Sequence, residues 1–89
     1  MDNRISVISI IIEDTNASAQ VNQLLHDFGN YMVGRMGIPY RERGVSIICV
    51  VLDAPGQVTS ALSGKLGMLS GVSTKTIVSK QPNKKEESL

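Results

Sequence analysis

Tryptophan is absent from this sequence, and Phe28, Tyr31 and Tyr40 are the whole aromatic content of its 89 residues. The core must therefore be aliphatic. Histidine and cysteine occur once each, as His26 and Cys49. A zinc site takes three or four protein ligands, so no metal site is expected. One cysteine excludes an internal disulfide and suits a reducing compartment, so the expectation is a cytoplasmic protein. Strong charge of either sign is also missing. The net charge is +1, which supplies no whole-chain field to hold a polyanion. The aliphatic run from Ile5 to Ile12 falls far short of the roughly 20 residues that span a bilayer, and it lacks a basic leader and a cleavage site. No nucleophile–base pair, carboxylate dyad or metal cluster stands out, so neither catalysis nor a cofactor is expected.

What is present is aliphatic and patterned. Hydrophobic residues make up 42% of the chain and charged residues 19%, a balance that folds. Arg4 to Glu13, rich in Ile and Val, predicts a strand. Asp14, Thr15 and Asn16 can cap a helix. Val21, Leu24, Leu25 and Phe28 then fall on one helical stripe, and Gly29 is expected to end that helix in a left-handed conformation. Tyr31 to Arg35 predicts a short strand, followed by an arginine–glycine loop over 34–44. Val45 to Leu52 predicts a third strand. Asp53-Ala54-Pro55 is expected to open a second helix carrying Val58, Ala61, Leu62, Leu66 and Leu69. Gly64 inside it predicts a close packing contact. Val72 to Ser79 predicts the last strand. The order β-α-β-β-α-β is that of a ferredoxin-like α+β sandwich, with a four-stranded antiparallel sheet and both helices on one face. The domain is expected over 1–79, with a polar, disordered tail over 80–89.

The two central strands are apolar on both sides. Ile5, Val7 and Ile11 alternate with Ile8, Ile10 and Ile12, and Val45, Ile47, Cys49 and Val51 with Ile48, Val50 and Leu52. A strand with one wet face should alternate apolar and polar residues. Two helices on one side cannot cover both sets, and a patch of that size is rare on a monomer. A homo-oligomer, dimer or tetramer, is therefore expected to cover the open face. Cys49 is expected to be a buried, inert thiol.

Arg35, Tyr40, Arg41 and Arg43 are the densest functional candidates. Guanidinium groups hold carboxylates and other anions bidentately. Arg and Tyr also anchor subunit contacts. The same residues fit a solvated hairpin, with Glu42 offsetting its neighbours. His26 and Asp27 lie off the apolar stripe and are expected at the surface. Ser63-Gly64-Lys65 is no phosphate loop, because Thr59 stands where the first glycine is required.

The block Arg35-Met36-Gly37-Ile38-Pro39-Tyr40-Arg41-Glu42-Arg43-Gly44, with the Val21–Gly29 segment before it and Ser63–Gly67 and Gly71–Thr76 after it, resembles the small ACT-like proteins named as regulators of the iron-only hydrogenase system. The resemblance implies a ferredoxin-like domain, similar in shape to the ligand-binding half of nickel-responsive repressors. It implies an oligomeric, non-catalytic regulatory or sensing role, with a small-molecule or anionic ligand as the candidate partner. It also carries an effector-pocket role to Asp14 and Asn16, for which plain helix capping is the other reading. Two departures from nickel-responsive repressors stand out. No room is expected ahead of the first strand for a DNA-binding segment, and the clustered histidines of a metal site are missing. The alternative is a transcription regulator that gathers its arginine loops on nucleic acid. No membrane partner is expected.

Overall fold

Ile and Val dominate the two longest strands, where β-branched side chains pack well on a pleated surface. In the computed structural model, which describes residues 2–80, these are β1 (Asn3–Ile12) and β3 (Val45–Pro55). They pair antiparallel at the centre of a four-stranded sheet of order β2-β3-β1-β4, with β2 (Met32–Tyr40) and β4 (Val72–Val78) at the edges. Helix α1 (Ser18–Asp27) follows β1, and α2 (Gly56–Gly67) follows β3. The expected ferredoxin-like α+β sandwich is thus the observed fold. Apart from Lys80, the tail expected at 80–89 lies outside the described residues.

Register decides which face is core. Ile8, Ile10 and Ile12 of β1, and Ile48, Val50 and Leu52 of β3, are buried against Val21 and Leu25 of α1 and Leu62 and Leu66 of α2. The alternate set faces away from the helices. At about 25 cal/mol per Å² of apolar surface, each of those buried side chains contributes roughly 1.5–3 kcal/mol. Ser6 and Thr59, the two buried polar residues among those described, meet each other across the helix–sheet seam at 3.4 Å.

Several local expectations are corrected. The second strand does not stop at Arg35. It runs to Tyr40, and only Arg41–Arg43 form the turn, closed by Gly44 at φ 66°. Pro39 is tolerated because β2 is an edge strand, where a missing N–H breaks no central ladder. A bulge between Met32 and Gly34 shifts the register. Asp53, Ala54 and Pro55 extend β3 rather than opening the helix. Gly29 is not left-handed. Among the described residues only Gly44 and Gly71 have positive φ, and α1 passes through Phe28 into a short 3-10 turn over Gly29–Tyr31. Phe28 packs on the core from the helix end, so a tight reversal there is unnecessary.

Gly64 also makes no close contact. A Cβ built on it meets nothing within 4 Å. Gly costs a helix interior about 1 kcal/mol relative to Ala. Gly64→Ala should therefore raise unfolding stability by roughly 0.5–1 kcal/mol in a urea titration. A loss of stability would restore the packing role.

Candidate functional site at the open sheet face

The side of the sheet away from the helices is left open. Its residues fall into rows across the four strands, fixed by the pairing register. Ile38, Ile47, Ile11 and Ser73 form one row. Met36, Cys49, Ser9 and Lys75 form the next. Gly34, Val51, Val7 and Ile77 form the third. Ile77 is 67% exposed, Met36 60% and Ile38 52%. Ile5, Ile11, Tyr40 and Ile47 are exposed as well. Cys49 lies half-buried at the middle of this face, 3.9 Å from the Ser9 hydroxyl, so it is not the buried core thiol expected. Its odd-numbered phase in β3 puts it with Ile47 and Val51, opposite the core.

At the end of the face where β1 finishes and β3 starts, a recess of about 290 Å³ opens. Ile11, Val45 and Ile47 make its apolar floor, and Glu13, Tyr40 and Arg43 line it with polar groups. Glu13 and Arg43 form no ion pair among the described residues. The alternation of β1 explains Glu13, which follows Ile11 by two and so shares its face. It was missing from the sequence-based candidates, although that phase was readable.

The six candidates separate in space. Tyr40 and Arg43 come together in the recess. Arg41 is exposed in the turn beside them, and its carbonyl accepts the Gly44 N–H at 3.1 Å. Arg35 points to the other side of the sheet, where its Nη2 donates to Asn22 Oδ1 of α1 at 2.9 Å. Asp14 caps the turn ahead of α1, its Oδ1 accepting from the Asn16 N–H at 3.0 Å. Asn16 is exposed. The Asp14 loop is held by Gly71, whose carbonyl accepts the Glu13 N–H at 2.7 Å.

His26 and Asp27 are exposed on α1, as expected. Among the described residues, no three His, Cys, Asp or Glu side chains lie close enough to hold a metal ion. A second hollow, lined by hydroxyls of Thr59, Ser60, Ser63 and Thr76, lies between α2 and β4 and carries no charged group. No described helix is long and apolar enough to cross a membrane.

A β2-β3-β1-β4 antiparallel sheet with two helices on one face and an open face opposite defines an ACT-like, ferredoxin-like domain. Residues 4–76 match the family described as "TM1266-like: Iron-only hydrogenase system regulator, putative", and the chain belongs to that family. It is similar to the uncharacterized protein TM1266 from Thermotoga maritima, at 40% identity and a TM-score of 0.85, over 89% of this chain and 100% of that one. It is also similar in fold to a formyltetrahydrofolate deformylase from Pseudomonas putida KT2440, at 13% identity and a TM-score of 0.59, over 81% of this chain and 28% of that one. No curated protein matches the chain.

Proposed function

We propose that this chain is a non-catalytic regulatory module that works as a homo-oligomer and senses a small ligand bearing an anionic group. The observation that carries the reading is the recess. It sets a guanidinium and a phenol at the edge of an apolar floor, on the face that also offers the surface for assembly. Arg43 supplies charge and bidentate geometry for a carboxylate or phosphate. Ile11, Val45 and Ile47 suit an apolar portion of the ligand. The membership in a family described as regulators agrees with this reading.

The nucleic-acid alternative would need the arginines gathered on one surface. Arg35 is on the helix side and engaged with Asn22, while Arg43 is on the open side. That separation favours the sensing reading. A gel-shift salt series checks it, because binding through phosphates should weaken steeply with salt.

The test is a thermal-shift screen against phosphate, carboxylates, amino acids and nucleotides. A ligand that binds only the native state stabilises it, by about 2.7 kcal/mol at one hundred times its dissociation constant. The expected result is a rise in melting temperature with an anionic compound, lost in Arg43→Ala while circular dichroism is unchanged. An equal shift in Arg43→Ala, or no shift with any compound, would contradict the proposal.

A further inference from the structure

We infer that a second copy of this chain packs face to face on the open sheet through a two-fold axis parallel to the strands, so that Glu13 of each copy meets the partner's Arg43. This rests on the homo-oligomeric reading above and fixes its geometry.

The area is sufficient. Taking about 200 Å² for a fully exposed large side chain, Ile5, Ile11, Ile47 and Ile77 with Met36, Ile38 and Tyr40 offer roughly 700 Å². A standard stable interface buries about 800 Å² per partner. Half-buried Val7, Val45, Cys49 and Val51 lie among them and add to it.

Two face-to-face rotations are available, and shape does not separate them. Rotation about an axis along the strands exchanges β1 with β3 and β2 with β4 within each row. Ile77 then lies over the partner's Gly34, and Ile38 over the partner's Ser73. Rotation about an axis across the strands exchanges the rows instead. Ile38 then lies over the partner's Gly34, and Ile77 over the partner's Ser73. Both set large side chains against small ones, as interdigitated layers require. Packed sheets keep their strands within about 30° of each other, so these rows stay near their partners.

Charge separates them. The rotation across the strands sets Lys75, in the middle row of β4, against the partner's Lys75. It also lays Glu13 over the partner's Ile5, whose register neighbour is the partner's Asp53, so a carboxylate approaches a carboxylate rather than a cation. Its one gain is Arg43 near the partner's Asp53, whose Oδ1 is buried without a hydrogen bond. The rotation along the strands keeps like ends together. Glu13 of β1 then meets the start of the partner's β3, where the partner's Arg43 sits, and the contact occurs twice. Lys75 lies over the partner's Met36, along which its methylene stem can run. Like charges set opposite each other cost more than a rim pair gains, so the second arrangement is favoured.

The recess then lies at the subunit boundary. A ligand's anionic group and the partner's Glu13 face the same guanidinium, so occupancy of the recess is coupled to assembly.

Charge reversal tests the axis. Glu13→Arg and Arg43→Glu change exposed side chains, and circular dichroism should show both folded. Each alone should weaken self-association about tenfold or more by sedimentation velocity. Mixed in equal amounts, the two variants should associate with close to the parent affinity, because every cross-contact is again opposite in sign. A parent-like association of Glu13→Arg alone, or no recovery on mixing, would overturn the axis while the homo-oligomer stands. So would recovery in Arg43→Glu/Asp53→Arg in place of the mixture. A monomeric parent protein would instead overturn the oligomeric reading itself.

Discussion

Ile47→Asp should leave a folded monomer, whereas Ile48→Asp should leave no stable fold. The two residues are adjacent in β3 and chemically identical, and they differ only in the face they take. Ile48 is 6% exposed and packs in the helix-side core. Removing an aliphatic core side chain costs about 2–5 kcal/mol. Placing a carboxylate there adds several kcal/mol of desolvation. Together these rival the roughly 5–15 kcal/mol that holds a small domain together. Ile47 is 36% exposed in the single chain, so an aspartate there keeps its water and the monomer folds. In the assembly it would be pressed against the partner's Ile11, and the dissociation constant should rise about a hundredfold or more, as for a truncated interface anchor. Circular dichroism with sedimentation velocity on each variant reads the difference. An Ile47→Asp protein of the parent's mass, or a well-folded Ile48→Asp protein, would contradict the assignment of faces.

Gly71→Ala should be the most damaging small substitution outside the core, by about 2–4 kcal/mol in chemical denaturation. Two independent effects add. Gly71 has φ 75°, a left-handed conformation that costs an L side chain about 1 kcal/mol or more. An added Cβ would also overlap the Asp14 Cβ and lie 3.2 Å from the Asp14 N atom. The Asp14 Cβ is fixed to a backbone that cannot move aside, because the neighbouring Glu13 N–H is bound to the Gly71 carbonyl. The damage should spread to the recess, since Glu13 is part of both. Gly44→Ala shares the left-handed φ but meets nothing within 4 Å, so it should cost only the conformational part. Equal losses at the two glycines would show that the Asp14 contact contributes nothing.

The fold was legible because its strongest signals are long and local. The aliphatic runs of β1 and β3 are too short and too β-branched for buried helices, and the Val21–Phe28 stripe keeps a helical spacing. The choice of face was not legible. Both phases of each central strand are apolar, and a one-residue slip exchanges them. The length of β2 was hidden by Gly34, Gly37 and Pro39, which read as loop residues but are harmless at a sheet edge. Gly29 and Gly64 misled for a related reason. Composition marks glycine, but only backbone angles and neighbouring atoms say whether glycine is needed. The candidate site was half readable. Tyr40 and Arg43 converge, while Arg35, five residues before Tyr40 and opposite in phase, turns to α1. Glu13 is masked in the sequence by the helix-capping signal of Asp14 beside it, although its phase in β1 places it on the open face.

Everything proposed for the open sheet face depends on another copy of this chain covering it. The most direct measurement is the molar mass of the unmodified protein by sedimentation equilibrium at micromolar concentration. A dimer or a multiple of it is expected, dissociating only on dilution or on Ile47→Asp. A mass of 9.6 kDa, that of one chain, across the micromolar range would contradict it.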